Sequence, residues 1–242
     1  MRFVITIDGP SGSGKSTLAQ MLAQKLGWSH LNSGLLYRAA AFLAVNNKIP
    51  LTDGPAVAAL VSRSDILLRK GHDGKGKVLI NGEVGGDELR TPEISEATSI
   101  IGALPEVRAA LKKAQRGALP NSNLVAEGRD MGTVIFSDAE LKFYINVDEN
   151  VRIDRRVKQL QTEAEKAGRR LTPEALKSLK EKMKIEVLDR DRRDQEREVA
   201  PLKPAPDAVI VDNTAQTLTE TLETLYSHAQ QRGLVQGKET DK

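Results

Sequence analysis

The sequence predicts an α/β fold in which a mostly parallel β-sheet is flanked by helices. Short apolar runs typical of buried central strands alternate with segments whose apolar residues recur at helical spacing. The chain opens with such a run at 4–7, followed by a glycine-rich loop and a helical segment that stops at Gly27. Further strands are predicted at 123–126, 141–145 and 209–211. Strands that alternate with helices imply parallel pairing.

A small β insert is predicted after the second strand. That strand lies near 28–31, and an alanine-rich helix follows it from about 35 to 46. Two β runs, at 65–69 and 77–80, then flank a glycine-rich turn. The Asn-Gly pair at 81–82 is also a strong hairpin signal, which supports a β insert in this region.

Two prolines and a long charged segment predict the remaining helices. Pro92 and Pro105 each occupy a first helical position, where the missing N–H costs no hydrogen bond. A charged helical stretch at 150–193 is interrupted near Gly168 and Pro173, and it has too few apolar residues to be core on every face. We therefore expect helices there that expose much of their surface.

The composition excludes several kinds of site and location. The 242 residues include no cysteine, which excludes disulfides, thiolate catalysis and thiolate metal sites. The apolar run at 39–45 is far shorter than the roughly 18 residues of a membrane span. The first apolar run ends too early for a signal peptide. We expect a soluble, cytoplasmic protein that is a monomer and has no membrane partner.

The positive charge of the chain is local. The net charge is only +3, but residues 152–197 hold 15 lysines and arginines against 10 acidic residues. No aromatic residues interleave with this stretch, as a base-stacking platform for nucleic acid requires. We therefore expect a small anionic partner, with binding to a nucleic-acid polymer as the alternative.

A phosphate-binding loop follows the first strand. Residues 9–16, GPSGSGKS, fit the pattern G-x-x-x-x-G-K-[ST] between a predicted strand and a predicted helix. The glycines let backbone N–H groups surround phosphate oxygens at a helix N-terminus. Lys15 would reach the β- and γ-phosphates, and the Ser16 hydroxyl would ligate Mg²⁺. The predicted nucleoside triphosphate site comprises Gly9, Ser11, Gly12, Ser13, Gly14, Lys15, Ser16 and Thr17.

A second candidate segment follows the strand near 28–31. The sequence NSGLLYR at 32–38 lies at the edge where doubly wound sheets bind ligands, which makes Ser33, Tyr37 and Arg38 candidate ligand residues. The alternative is a helix N-cap at Asn32 or Ser33, with Tyr37 half-buried.

A third candidate segment, EGRDMGT at 127–133, follows another predicted strand. Its Arg-Asp pair lies between two glycines and suits a binding site, although a surface ion pair explains the pattern equally well. Glu127 could also approach Mg²⁺ through water.

Two groups of arginines lie at the ends of the charged stretch. The arginine fork suits phosphates and can neutralise charge during phosphoryl transfer. The alternative is a solvated helix face with i,i+4 ion pairs such as Asp189 with Arg193. The groups are Arg152, Arg155 and Arg156, and Arg190, Arg192, Arg193 and Arg197.

Taken together, these segments resemble the bacterial cytidylate kinase family, the CMP/dCMP kinases of the nucleoside monophosphate kinase class. The resemblance runs from Val4 to about Gln230, and the combination of GRDMGT with R-D-x-x-D and APL is specific to the family. It implies a single P-loop kinase domain over 1–232 with ATP and CMP or dCMP as substrates and Mg²⁺ as cofactor. Within that domain it implies a CMP-binding insert at 60–101 and a helical lid at 155–194, followed by a disordered tail at 233–242. Its other motifs are ITIDGPSGSGKST, SGLLYR, LRT and RDRRD.

The resemblance implies roles for residues at matching positions. Arg108 and Arg129 would hold the α-phosphate of CMP, and Ser99 would help to read cytosine. The base and sugar would be surrounded by Asp130, Arg190, Asp194 and Arg197. The implied CMP site comprises Ser33, Tyr37, Arg38, Ser99, Arg108, Arg129, Asp130, Arg190, Asp194 and Arg197, and the implied catalytic residues are Lys15, Arg155, Arg156 and Arg190.

The implied activity is transfer of the γ-phosphoryl group of ATP to CMP or dCMP. The alternatives are another P-loop small-molecule or nucleoside monophosphate kinase and a nucleotide-gated binding protein. The chain departs from the family pattern at Asn32, where the family usually has Asp, and in a lid lengthened around 163–182.

Overall fold

The main sheet is parallel throughout, as the sequence predicts. The structure is a computed structural model that describes residues 2–70, 76–118 and 121–235. The sheet contains β1 (Val4–Asp8), β2 (Ser29–Asn32), β6 (Leu124–Gly128), β7 (Leu141–Asn146) and β8 (Val209–Asp212). Their spatial order is β2-β6-β1-β7-β8, so β1 is central and is buried along its whole length.

Alternate residues of β1 pack into different apolar clusters. Ile5 and Ile7 pack with α1 (Lys15–Leu26) and α8 (Leu218–Gln231), whereas Val4 packs with the cluster around Phe136. A third cluster joins α2 (Ser33–Asn46), α3 (Gly54–Arg63), α4 (Pro92–Ile101) and α5 (Pro105–Gly117). The sheet is thus covered by helices, and its carboxyl edge is left for a site.

The predicted β insert is a three-stranded antiparallel sheet. It contains β3 (Ile66–Lys70), β4 (Gly76–Ile80) and β5 (Glu83–Val84). Asn81 and Gly82 have φ values of 52° and 88°, which form the tight turn predicted for the Asn-Gly pair. The glycine-rich turn between β3 and β4 lies outside the described residues.

The charged stretch forms two helices, α6 (Glu149–Lys166) and α7 (Pro173–Glu196), which pack against each other. Their contact is built on a small apolar cluster of Ile153, Met183 and Val187. Most other side chains of the pair are exposed or half-buried, as the composition predicts. The predicted insert and lid boundaries at residues 60 and 155 fall inside α3 and α6.

The C-terminal segment is ordered further than predicted. Leu234 is 5% exposed and packs in the cluster around α1 and α8, so the tail does not begin at residue 233. Residues 236–242 lie outside the described part of the chain. Within the described ranges, no helix combines the length and the apolar character that crossing a membrane requires.

Candidate active site

A cavity of about 830 Å³ lies where β1, β2 and β6 end. Parallel strands bring their carboxyl ends to one edge of the sheet, so segments far apart in sequence meet there. Eight cationic side chains and five carboxylates line the cavity. This excess of positive charge suits a ligand that carries phosphate groups.

The P-loop connects β1 to α1 and passes very close to β7 at Gly9. A Cβ at Gly9 would lie 2.6 Å from the carbonyl oxygen of Ile145, so only glycine fits. Gly14 has a φ of 82° and directly precedes α1. The helix therefore begins with its free N–H groups at the loop, which favours an anion there.

Lys15 is buried at the start of α1. Its Nζ donates a 3.0 Å hydrogen bond to the carbonyl oxygen of Pro10. Burial, together with the positive charge of Arg129 and Arg190, lowers the pKa of Lys15 to about 7. Burial and the two arginines therefore disfavour the charged form of Lys15, and an anionic ligand in the cavity would favour that form again.

Glu127 joins the P-loop to the end of β6. Its Oε1 accepts a 2.8 Å hydrogen bond from the hydroxyl of Ser16, and its carbonyl oxygen accepts another of 2.8 Å from Ser33. Asn32 lies opposite Glu127 in the strand register. The neutral Asn32 side chain therefore avoids a second carboxylate next to Glu127.

Five charged residues along the cavity form an arginine–aspartate cluster. Arg108 is paired with Asp130, and Arg197 lies 3.8 Å from Asp130 and 3.9 Å from Asp194. Asp194 Oδ2 accepts a 2.7 Å hydrogen bond from Arg129 Nε. Arg129 and Asp130 thus pair with distant residues rather than on the surface, which rejects the surface ion-pair alternative.

Asp194 and the neighbouring Arg190 keep their charges despite burial. Burial disfavours the charged form of Asp194, but Arg129 and Arg190 hold its pKa below the usual value. Burial and the charge of Arg129 lower the pKa of Arg190 to about 10, which still leaves it protonated at neutral pH. Among the described residues, Arg190 Nε has no hydrogen-bond partner. It is therefore available to an anion in the cavity.

Tyr37 and Ser99 line the same cavity. Burial raises the pKa of Tyr37 to about 12, and the guanidinium of Arg108 lies 5.7 Å from the centre of its ring. In the described part of the chain, the buried Ser99 hydroxyl has no hydrogen-bond partner. A ring and an unpaired hydroxyl suit a planar polar ligand group such as a base.

A second cationic group lies between the insert and α6. Arg38 donates to the carbonyl oxygen of Leu89 (2.6 Å) and to the hydroxyl of Ser95 (3.0 Å). Burial, followed by the nearby charges of Arg90 and Arg156, lowers the pKa of Arg38. All three arginines line the cavity.

Comparison with known proteins identifies this arrangement. A family model described as cytidylate kinase matches residues 5–231. The chain belongs to the cytidylate kinase family. It is 40% identical over 230 residues to "Cytidylate kinase" of Pasteurella multocida strain Pm70, covering 95% of this chain and 96% of that relative. It is 42% identical over 232 residues to "Cytidylate kinase" of Stutzerimonas stutzeri strain A1501, covering 96% of each chain.

In this member of the cytidylate kinase family, α6 and β8 hold the P-loop from outside. Arg152 donates to the carbonyl oxygen of Ser11 (3.2 Å) and pairs with Asp191 of α7 (2.6 Å). Asn213, directly after β8, donates to the carbonyl oxygen of Ser13 (3.0 Å). The loop is therefore fixed to the base of the helical pair before any ligand binds.

Most of the predicted site residues line one cavity, with a few exceptions. Arg155 is turned away from it, because its Nη2 donates to the carbonyl oxygen of Asn213 (2.9 Å). Asn32 occupies the N-cap position of α2 without a side-chain capping bond, and Tyr37 is buried rather than half-buried. The residues in the lining are Ser11, Gly12, Lys15, Ser16, Ser33, Tyr37, Arg38, Ser99, Arg108, Arg129, Asp130, Arg156, Arg190, Asp194 and Arg197, whereas Gly9, Ser13, Gly14 and Thr17 lie outside it.

Sequence reasoning missed three groups around this family's site. Arg90 lies inside the LRT motif but was given no role, although it lines the cavity. Asp8 directly follows the first predicted strand at 4–7, and its buried carboxylate accepts hydrogen bonds from Met131 and Gly132. Nothing in the local sequence indicated the contact of Asn213 with the P-loop.

Proposed function

We propose that the enzyme transfers the γ-phosphoryl group of ATP to CMP or dCMP, giving CDP or dCDP. The observation that carries the proposal is that the P-loop lysine and the arginine–aspartate cluster line the same cavity. A donor phosphate on the P-loop and an acceptor phosphate near Arg129 would therefore meet inside one protected space. Family membership supports the choice of cytidine nucleotides.

The donor side is assigned to the P-loop and α1. Residues 9–17 would hold the ATP phosphates through backbone N–H groups, and Lys15 would move from Pro10 to the β- and γ-phosphates. Arg156 and Arg190, which line the same cavity, would offset the charge that develops during transfer. Arg155 would first have to break its bond to Asn213.

The residues near the P-loop fit Mg²⁺. Mg²⁺ keeps several waters and usually takes only one or two protein oxygens together with substrate phosphates. The hydroxyl of Ser16 and the carboxylate of Glu127 already meet at 2.8 Å, and the described residues contain no larger cluster of metal-binding side chains. We infer that Ser16 ligates the ion and that Glu127 acts through water. The bound ion would neutralise phosphate charge.

The acceptor side is divided between phosphate and nucleoside. Arg129 acts on the pKa of Lys15, which supports a place for it beside the transferred phosphate. The sequence-based prediction placed Arg108, like Arg129, at the α-phosphate of CMP. Its position over Tyr37 and its bond to the carbonyl oxygen of Gly102 favour the nucleoside instead. Ser99 would then read the base.

The reaction needs little base catalysis. A phosphate monoester has its second pKa near 6, so an acceptor oxygen is already anionic at neutral pH. Catalysis then depends on in-line positioning and on neutralising charge in a space that excludes water. The cationic side chains of the cavity supply that neutralisation.

The insert and the helical pair would close over the substrates. The insert (60–101) and the lid (155–194) already touch, because Arg193 donates to both carboxylate oxygens of Glu96 at 2.9 and 3.2 Å. Arg193 therefore forms its ion pair with Glu96 and not with the carboxylate of Asp189, the i,i+4 partner considered in the sequence analysis. We expect a monomer to be active, since one chain supplies every group named above.

A panel of acceptors tests the assignment. We expect kcat/KM for CMP and dCMP to exceed that for UMP, AMP, GMP and dTMP by at least about a hundredfold, because polar groups that read cytosine stay unpaired with other bases. A coupled assay of ADP release measures this at fixed ATP. Preference for another acceptor would contradict the proposal. ATP binding without acceptor-dependent turnover would favour a nucleotide-gated binding protein.

ATP binding at pH 8 should take up a proton. The pKa of Lys15 is lowered to about 7 by burial and by Arg129, so its amine is largely neutral at pH 8. A triphosphate next to the amine favours the charged form and restores the proton. Titration calorimetry in buffers of different ionisation enthalpy measures the uptake. Lys15→Arg stays charged and should show none; equal uptake in both proteins would contradict the prediction.

A further inference from the structure

We propose that Asp8 is a positioning residue that holds the acceptor loop, residues 128–135, in the geometry needed to bind the CMP phosphate. The proposal rests on the proposed function, because it takes Arg129 and Asp130 of that loop as acceptor-binding residues. Asp8 does not line the cavity, so it would act on the phosphate only through the loop.

The contacts of Asp8 are specific to this loop. The side chain is 4% exposed, and its two oxygens accept backbone hydrogen bonds from Met131 (Oδ1, 2.9 Å) and Gly132 (Oδ2, 2.8 Å). The loop makes a π-helical turn over Met131–Ile135 that leaves these two N–H groups to an outside acceptor. A carboxylate with both oxygens accepting is the group that satisfies both.

The space around this contact is closed. A Cβ at Gly132 would lie 2.8 Å from Thr6 Oγ1 and 3.4 Å from Asp8 Oδ2. The loop backbone is therefore pressed against β1, and its distance from Asp8 has little freedom. A fixed turn at Met131 and Gly132 sets where the preceding residues, Arg129 and Asp130, leave the backbone.

Asp8 also links the two halves of the site. It is the last residue of β1, so its backbone leads directly into the P-loop at Gly9, while its side chain holds the acceptor loop. Arg129 then pairs with Asp194 and Asp130 with Arg108. The donor and acceptor sites thus share one strand end, which fixes their separation.

The charge of Asp8 is sensitive to its surroundings. Burial raises its pKa to about 7, against the two backbone hydrogen bonds that lower it. The charged and titratable groups that face it are Lys15 of α1, Asp130 of the acceptor loop and Tyr144 of β7. The side chain of Lys142 packs on the same side of Gly132 as Asp8, and its Nζ donates to the carbonyl oxygen of Ser137 and to Asp207.

The test is Asp8→Asn in the full-length enzyme. The amide has the same shape but can accept only one of the two N–H groups, so we expect KM for CMP to rise about tenfold. KM for ATP should not change. Asp53→Asn, which removes a carboxylate that accepts from Ala56 at the start of α3, is the matched control and should change neither constant.

The pH profile provides a readout that a purely structural role would not move. The KM of the unaltered enzyme for CMP should rise as the pH falls below about 7, because a protonated Asp8 also loses one acceptor oxygen. The Asp8→Asn profile should retain only the titration of the CMP phosphate. Equal increases of both KM values, or no change in either, would overturn the proposal.

A measurement on the unaltered enzyme tests the proposal even if the Asp8→Asn variant does not fold. The amide resonances of Met131 and Gly132 should titrate together with a midpoint near pH 7, as the carboxylate that holds them is protonated. Independent or absent titration would overturn the contact. If the unaltered enzyme does not use CMP, the proposed function fails, whereas this titration still reports on Asp8.

Discussion

Replacing Lys15 with methionine is expected to lower kcat by at least about a hundredfold, the loss seen when one preorganised donor to a developing charge is removed. Methionine keeps an unbranched side chain of similar size but has no ammonium group. Lys15 lies 6% exposed at the start of α1 and lines the cavity with Ser16. No other lysine of the described residues lines that cavity.

Stability measurements separate loss of chemistry from loss of fold in this variant. The pKa of Lys15 is about 7 in the folded protein, against 10.5 for an unperturbed lysine. The unfolded state therefore binds the extra proton between these values, so the free energy of unfolding of the unaltered enzyme rises with pH across that window. Lys15→Met should lack this rise.

The control for Lys15 lies on the same helix. Lys25 is exposed at the far end of α1 and pairs with Glu223, outside the cavity. Lys25→Met should retain kcat and the pH dependence of stability. A Lys15→Met enzyme with normal kcat would contradict the role assigned to the P-loop lysine.

The fold could be predicted because its signals are local. Strands such as β1 and β6 are short, mostly apolar and fully buried runs, and Pro92, Pro105 and Gly27 mark helix ends through their own backbone geometry. The prediction of a disordered tail from residue 233 was wrong at Leu234, for the opposite reason. Leu234 is ordered by packing against α1 and α8, which no neighbouring residue signals.

The site could be predicted as a set of residues but not as a set of contacts. The P-loop motif carries its mechanism within eight residues, so Lys15 and Ser16 follow from the sequence. The pairing of Arg129 with Asp194 spans 65 residues, and only the fold decides it. The same limit hid Asp8, whose partners lie more than 120 residues away.

Replacing Arg129 with alanine is expected to lower kcat/KM for CMP by about 10³-fold or more, the scale of an arginine that stabilises phosphoryl transfer. The variant removes a guanidinium next to the proposed acceptor phosphate. It also leaves the buried carboxylate of Asp194 without its 2.7 Å hydrogen bond from Arg129. Arg190 and Arg197 still face Asp194, so its negative charge remains balanced by nearby positive charges.

The affinity of Arg129→Ala for ATP should change little, and its proton uptake should decrease. Arg129 is the largest neighbouring charge that lowers the pKa of Lys15, so its loss leaves Lys15 more protonated before ATP binds. Calorimetry with ATP alone measures both quantities. Arg192→Ala is the control, since Arg192 is exposed and pairs with Asp189. If Arg129→Ala lost ATP affinity and CMP turnover equally, donor and acceptor sites would not be divided between the P-loop and the acceptor loop.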